Sequence, residues 1–312
     1  MPAPSLNSFD PASLAQLSHL RLQARVIVEG YLSGLHRSPH QGYSVEFAEH
    51  REYAPGDDLR YVDWKVFGRS DRYYLKQFEE ETNFACMLAV DASESMQYGS
   101  SPESLNKFEY ARLLAAVLAS LTIQQQDAAG LVLFSEQLQH YVRAAGNPQQ
   151  QTRIWELLEQ SEASGPTALG PMLHEISDRF RKRGMIILFS DLFDDLDAIK
   201  IGLQRLKHRR HDIRVLQILD AAELEFPFEE PTLFHGLEIA QEQMVDPRGL
   251  RTAYLKEFHS FLVESRRTCR DLGVEHDIIR TDEPFDRVLR RILSNRPPLP
   301  IPNITEMQGR RG

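Results

Sequence analysis

The sequence predicts an α/β fold with a doubly wound, mostly parallel sheet, and three observations lead to this prediction. Strand-like and helix-like segments alternate from residue 82 onward, as they do in sheets whose strands are joined by crossover helices. The strand-like segments are unbroken apolar runs, which indicates strands buried on both faces. Two of these runs lead into an aspartate, Asp91 and Asp191, at the edge where open α/β sheets bind ligands.

The amino-terminal part of the chain has a different character. Leucines at helical spacing predict an amphipathic helix between Pro11 and Tyr31, within a segment of residues 1–32. Residues 33–81 contain glycines, prolines and aromatic residues, with strand-like alternation on either side of the turn signal Pro55-Gly56. We therefore expect a small N-terminal β-rich unit ahead of the main domain.

The main domain is expected over residues 82–295, and its elements follow in regular order. Predicted strands cover 84–91, 129–135, 184–190, 213–219 and 275–280, and a short run over 138–142 predicts an antiparallel edge strand. Predicted helices cover 107–126, 149–160, 169–183, 196–209, 250–272 and 285–294. The prolines from Pro297 onward predict an extended, flexible tail over residues 296–312.

Composition narrows the class of protein. In 312 residues the chain has 42% hydrophobic and 26% charged residues, as a globular protein does, and its net charge of -9 argues against nucleic acid as a partner. Its two cysteines, Cys86 and Cys269, are far apart in sequence, which favours a reducing compartment. We see no secretory signal, and the most apolar helix, Ala111 to Ile123, is shorter than the ~20 residues that span a bilayer. We therefore expect a cytoplasmic protein without membrane insertion.

Oxygen-bearing side chains cluster at the predicted strand ends. Asp91 is followed by Ser93 and Ser95, Thr167 lies in a tight loop before a helix, and Asp191 follows Ser190. Loops at the carboxyl edge of a parallel sheet converge, so these oxygens can surround one point, and Mg²⁺ prefers such hard ligands, with Mn²⁺ as the second candidate. Taken singly, each residue also fits a helix cap or a turn, and that interpretation stays open.

These residues resemble the metal-ion-dependent adhesion site of von Willebrand factor A domains. The likeness rests on Asp91-Ala-Ser-Glu-Ser95, on Thr167 and on Phe189-Ser-Asp191, and it covers about residues 82–295. It implies a von Willebrand factor A-like sheet in which Asp91, Ser93, Ser95 and Thr167 contact or nearly contact the metal. It also implies that Asp191 acts on the ion directly or through a water molecule.

The preceding segment is similar to a bacterial family called domain of unknown function 58. The similarity rests on residues 33–40 and 47–58 and on Val62-Asp-Trp-Lys65. Proteins of that family are linked with MoxR-type AAA ATPases, which act in the assembly or activation of other proteins. Many members carry membrane helices ahead of this region, and the lack of such helices here implies the soluble subgroup.

These observations together predict a metal-ion-dependent protein–protein interaction module and not an enzyme. Its expected partners are a MoxR-type AAA ATPase and an unidentified client protein that offers an acidic side chain to the metal. One alternative is a metal-dependent hydrolase or phosphatase with Asp91 as nucleophile, but Ser93 stands where such chemistry normally has a second carboxylate. The other alternative is a structural scaffold without a metal.

Asp194, Asp195 and Asp197 are interpreted as first-turn acids of a helix.

Overall fold

The structure is a computed structural model that describes residues 9–17, 19–35, 51–52, 74–75, 84–228, 232–235, 242–245 and 247–293. The chain divides into two compact units. One consists of residues 1–30 and 84–312, and the other of residues 31–83.

The amino-terminal segment begins with two helices, α1 (Pro11–Ala15) and α2 (Leu20–Leu35). The single helix predicted for this segment is therefore wrong. The side-chain amide of Gln23 donates to the backbone oxygens of Leu14 at 2.8 Å and Leu17 at 3.0 Å. Because these bonds satisfy carbonyls at the interruption, the helix can end there without leaving them unpaired.

The predicted β-rich unit is described only in part. Strand β1 (Arg51–Glu52) pairs with β2 (Tyr74–Leu75) in antiparallel orientation. The other residues of 33–81, apart from those at the end of α2, lie outside the described residues, as does the tail 296–312. The boundaries proposed for these two segments stay predictions.

The larger unit is built on a central sheet. Its strands are β3 (Ala85–Asp91), β4 (Ala128–Phe134), β5 (Leu138–Ala145), β6 (Met185–Ser190), β7 (Asp212–Leu219), β8 (Thr232–His235), β9 (Glu242–Val245) and β10 (Glu275–Arg280). Six of them form one sheet in the order β10-β7-β6-β3-β4-β5, and β8 and β9 form a separate pair. All neighbours in the main sheet are parallel except β5, which is antiparallel to β4. The predicted mostly parallel sheet with an antiparallel edge strand is thus confirmed.

Helices cover both faces of this sheet. The helices that follow β3 are α3 (Lys107–Gln124), α4 (Pro148–Gln160), α5 (Leu169–Arg179), α6 (Leu196–His208), α7 (Ala221–Glu225), α8 (Pro247–Asp271) and α9 (Phe285–Leu293). Met87 and Ala89 of β3 pack into a core with α5, α6 and Cys269 of α8. Helix α3 packs against β3 and β4 from the other face. Burial on both faces explains why the strands are continuous apolar runs.

Some elements differ from the sequence prediction. Helix α5 ends at Arg179 and not at residue 183, because Phe180 leaves the helix and stacks on His211 with ring centroids 5.0 Å apart. Helix α7 and the β8–β9 pair were not predicted. Helix α7 contains 5 residues, and β8 and β9 contain 4 residues each. Elements of this length are too short for a periodic pattern to show.

Both cysteines are free and buried, Cys86 in β3 and Cys269 in α8. Burial raises the pKa of each thiol to about 12. Each therefore stays protonated at neutral pH.

No helix within the described parts of the chain combines the length and the apolar character needed to cross a membrane.

Candidate metal site at the carboxyl edge of the sheet

The centre of the candidate site is Asp91, the last residue of β3. Strand β3 pairs with β6 in a register that places Val90 opposite Phe189, so Asp91 and Ser190 end their strands side by side. The hydroxyl of Ser190 donates to Oδ2 of Asp91 at 2.6 Å. The sheet register therefore determines the first contact of this carboxylate.

The loop after β3 turns back over the same carboxylate. The backbone N–H of Ser93 donates to Oδ1 of Asp91 at 2.9 Å, an Asx-type turn that requires the aspartate two residues earlier. The hydroxyls of Ser93 and Ser95 lie 3.1 Å apart. Asp91, Ser93 and Ser95 are all buried, so the spacing Asp-x-Ser-x-Ser gathers three oxygen-bearing side chains inside the fold.

The loop before α5 joins them through backbone hydrogen bonds. Glu94 N donates to Gly165 O and Ser164 N donates to Ala92 O, both at 2.8 Å. These bonds hold the two loops together and place Thr167 near Asp91. The Thr167 hydroxyl donates to Oδ2 of Asp91 at 3.5 Å. Thr167 is only half-buried, so the site opens to solvent on this side.

Asp191 lies in a different environment from the other four predicted ligands. Its Oδ2 accepts a hydrogen bond from the ammonium of Lys107 at 2.8 Å, and its Oδ1 accepts from the backbone N–H of Phe193 at 3.1 Å. Its backbone oxygen accepts from the Gln217 amide at 2.9 Å. The structure therefore joins Asp91, Ser93, Ser95 and Thr167 by hydrogen bonds, while Asp191 forms an ion pair.

The two carboxylates also differ in electrostatics. Burial, together with the negative charge of Asp191, raises the pKa of Asp91 to about 7, and hydrogen bonds from Ser190 and Ser93 oppose the rise. Burial also disfavours the charge of Lys107, but Asp191 and Glu223 outweigh it and raise the pKa of Lys107. The negative charge of Asp191 is thus compensated, whereas that of Asp91 is not.

The donor set of this site is mostly hydroxyl. In the described part of the chain, no three His, Cys, Asp or Glu side chains are grouped to hold a metal ion. Around Asp91 the oxygens are instead those of Ser93, Ser95 and Thr167. One carboxylate and several neutral oxygens are suitable ligands for a hard cation such as Mg²⁺. The residues present therefore fit such an ion.

Sequence reasoning missed the residues that support the site. The buried Lys107 and the half-buried Glu223 form an ion pair with Nζ–Oε1 at 2.6 Å. Ser190 belongs to the predicted motif, but its direct contact with Asp91 was not predicted. One signal was available, because a lysine in the first turn of a helix opposes the helix dipole. The position of Glu223 depends on tertiary structure and left no such signal.

Asp194 also differs from its prediction. It precedes α6, and its Oδ2 accepts the backbone N–H of Leu169 in the first turn of α5 at 2.7 Å. It therefore caps a helix that lies earlier in the chain. Asp195 is the residue that caps α6, since it accepts the N–H of Asp197.

The fold and the site define an α/β protein with oxygen-bearing side chains gathered at the carboxyl edge of a mostly parallel sheet. Residues 49–261 match the family described as "Protein of unknown function DUF58". The chain belongs to this family, as the resemblance of its amino-terminal segment predicted. Uncharacterized proteins of Mycobacterium tuberculosis and Mycobacterium bovis are 25% identical over 292 residues, which cover 92% of this chain and 90% of theirs.

Solved structures with detectable similarity include two Bacteroides proteins and a von Willebrand factor A domain. The conserved hypothetical protein BatB from Bacteroides thetaiotaomicron is 13% identical with a TM-score of 0.44, covering 68% of this chain and 98% of that one. An aerotolerance-related membrane protein from Bacteroides fragilis is 14% identical with a TM-score of 0.44, covering 68% and 100%. The SpRpn10 VWA domain is 11% identical with a TM-score of 0.38, covering 67% and 94%.

Proposed function

We propose that this chain is a protein-interaction module whose binding depends on a divalent metal ion, Mg²⁺ or Mn²⁺, at the carboxyl edge of the sheet. The observation that supports the proposal best is that the Asp91 carboxylate is buried without a cationic partner among the described residues. Its side chain is 0% exposed, and its hydrogen-bond donors, Ser93, Thr167 and Ser190, are neutral. No cationic side chain among the described residues pairs with it.

A buried carboxylate without a counter-ion is costly to keep ionised. Its raised pKa, about 7, reflects that cost. A divalent cation offsets the cost because it supplies the missing positive charge, and Asp91, Ser93, Ser95 and Thr167 are the residues that would hold it. When bound, such an ion supplies an electrophilic position for a carboxylate from another protein.

The partner surface is expected to be acidic at this point. Thr167 lies on the solvent side of the site, so we place the partner's Asp or Glu there. A MoxR-type AAA ATPase is the second proposed partner, on the basis of the family resemblance. We place this protein in the cytoplasm as part of the same proposal. The client protein that offers the acidic side chain is to be identified by affinity capture.

We propose binding and not hydrolysis as the role of Asp91. Hydrolysis of this kind normally needs a second carboxylate near the nucleophile as general acid or base. The residue two positions after Asp91 is Ser93, whose hydroxyl contacts that of Ser95 and cannot act as a second carboxylate. One carboxylate among hydroxyl groups is instead a suitable donor set for a hard cation.

The direct test is titration calorimetry of Mg²⁺ and Mn²⁺ with the wild type and with Asp91→Asn. The substitution keeps the shape and removes the charge, so we expect metal binding to be lost. Glu136→Gln is the matched control, because Glu136 is an exposed carboxylate in the loop after the neighbouring strand β4. Equal metal affinity in the wild type and Asp91→Asn would contradict the proposal.

The partner is tested by affinity capture from cells of the source organism, with Mg²⁺ or with a chelator. We expect an AAA ATPase or a client to be retained by the wild type and by Glu136→Gln only when Mg²⁺ is present. With Asp91→Asn, we expect that adding Mg²⁺ does not increase the retention of the ATPase or of the client. A set of captured proteins that is the same under all conditions argues against metal-dependent binding.

A further inference from the structure

Lys107 places a positive charge inside the protein, beside the candidate site. Its side chain is 1% exposed, and its Nζ lies 2.8 Å from Asp191 Oδ2 and 2.6 Å from Glu223 Oε1. The ammonium also lies 4.7 Å from the ring centroid of Phe193. This is a closed environment, in which carboxylates and an aromatic ring surround the cation.

The position of Lys107 is unfavourable for a cation in two respects. It is the first residue of α3, after the capping residue Asn106, where the helix dipole disfavours positive charge. It is also fully desolvated, which costs several kcal/mol unless acidic partners are present. The partners are Asp191, at the end of β6, and Glu223, in α7. Together they compensate the buried charge of Lys107, and Asp191 is the more deeply buried of the two.

The same contacts occupy Asp191. One of its oxygens is taken by Lys107 and the other by the N–H of Phe193. The turn that carries it is further restrained by Leu192, whose backbone has a positive φ of 63°, a conformation that non-glycine residues seldom adopt. Both oxygens of Asp91 also accept hydrogen bonds, but only from neutral donors within the described residues. Asp191 differs because it would have to break an ion pair before it could move toward Ser93 and Ser95.

We infer that Lys107 is a positioning residue that holds Asp191 in an internal ion pair and out of direct contact with the metal. This inference rests on the proposed metal-dependent function. Among the described residues it leaves Asp91 as the single carboxylate ligand of the ion. A divalent ion on a single carboxylate keeps a net positive charge, which fits a binding partner that contributes one carboxylate of its own.

The first variant removes Lys107 without changing the net charge. In Lys107→Met/Glu223→Gln one positive and one negative group are lost together, and Asp191 loses its cationic partner. We expect Asp191 to join the ligands and Mg²⁺ to bind about 10-fold more tightly, because a second carboxylate adds one negative charge to the ligand set. Glu223→Gln alone leaves the Lys107–Asp191 pair intact and should bind Mg²⁺ as the wild type does.

The second variant is Asp191→Asn, which tests the inference even if the first does not fold. Held by Lys107, Asp191 does not touch the ion, so we expect the Mg²⁺ dissociation constant to change by less than about 3-fold. If Asp191 were a ligand, its loss would remove one of two ligand charges and weaken binding by about 10-fold or more. Adding Asp191→Asn to the Lys107→Met/Glu223→Gln variant should cancel the gain in affinity.

The results separate this inference from the proposed function. Suppose that Mg²⁺ binds the wild type. Unchanged affinity in folded Lys107→Met/Glu223→Gln, or a strong loss of affinity in Asp191→Asn, then overturns the positioning role of Lys107 and leaves the proposed function standing. If only Lys107→Met/Glu223→Gln binds Mg²⁺, the proposed function fails while the restraint of Asp191 by Lys107 is supported. If neither binds, both are overturned. Thermal unfolding without metal establishes which variants are folded.

Discussion

The hydroxyl of Ser190 donates a 2.6 Å hydrogen bond to Oδ2 of Asp91, across two adjacent parallel strands. The same oxygen of Ser190 accepts the backbone N–H of Leu192 at 3.0 Å. Ser190 therefore connects the carboxylate at the centre of the site with the turn that carries Asp191. This link holds two neighbouring strand ends in one arrangement.

We predict that Ser190→Ala destabilises the protein by about 1–3 kcal/mol. It removes the shortest hydrogen bond to the buried carboxylate of Asp91, whose Oδ2 then has only Thr167 at 3.5 Å among the described residues, and it removes the side-chain acceptor of the Leu192 N–H. Urea unfolding of both proteins at neutral pH measures the difference. Ser265→Ala is the control, since the buried Ser265 hydroxyl donates to Phe261 O in its own helix at 2.8 Å, and its loss leaves α8 intact. Equal costs for the two variants would show that the link between the strands adds no stability.

A second prediction concerns acid. Burial lowers the pKa of His276 to about 3, with Arg266 acting in the same direction. Its Nε2 is paired with Gln217 Oε1 at 3.0 Å, and its buried Nδ1 has no hydrogen-bond partner in the described structure. A proton added there would be desolvated and unpaired. The unfolded chain therefore takes up that proton first, near the usual pKa of 6.5.

The stability that neutral His276 provides is fully present above pH 6.5 and is lost as the pH falls toward 3. We expect His276→Gln to show a smaller loss of stability between pH 6.5 and 4 than the wild type. Chemical unfolding at four pH values in this window measures both slopes. At pH 8 the histidine is neutral in the folded and unfolded chains, so the comparison there gives the cost of substitution alone. Parallel slopes would contradict the buried neutral state.

A third prediction concerns the link between the Asp191 turn and α5. Asp194→Ala removes the side chain that accepts Leu169 N, and loss of a cap of this kind costs about 0.5–2 kcal/mol. Asp194→Asn keeps an oxygen in place and should cost less. Hydrogen exchange at the Leu169 amide reports the cap directly, and it should accelerate in Asp194→Ala alone. Since Thr167 lies two residues earlier, the same variant should also weaken metal binding.

A fourth prediction compares two glycines that both have room for a side chain. A Cβ on either Gly165 or Gly249 would meet no atom within 4 Å, but Gly165 has a φ of +75° whereas Gly249 lies in α8. Gly165→Ala should destabilise the protein by about 1 kcal/mol or more, because its backbone conformation disfavours a side chain. Gly249→Ala should stabilise it by up to about 1 kcal/mol through helix propensity. Changes of the same sign in thermal unfolding would refute the role of the Gly165 conformation.

The sheet was predictable because its strands are buried on both faces and so read as continuous apolar runs. Strand β10 was predicted with the bounds Glu275–Arg280 that it has in the structure, and β5 was recognised as an antiparallel edge strand. The interruption between α1 and α2 was not predictable from periodicity, because it depends on the Gln23 side chain reaching back to Leu14 and Leu17.

The ends of β3 and β6 were predictable for the same reason as the sheet, and the local motif placed Ser93 beside Asp91. The environment of Asp191 was not predictable. Its ion pair joins it to Lys107, 84 residues earlier in the chain, and such a pairing follows from how α3 packs on the sheet. The proposed metal ligands stay predictions that the titrations above address.

Because both native thiols are buried and protonated, they should react slowly with maleimides and similar reagents at neutral pH. A cysteine introduced at the exposed Ser164, near the solvent side of the candidate site, can then take up a fluorophore selectively in the native background. The fold thus offers a direct optical route to watching partners arrive at that edge, without first building a cysteine-free protein.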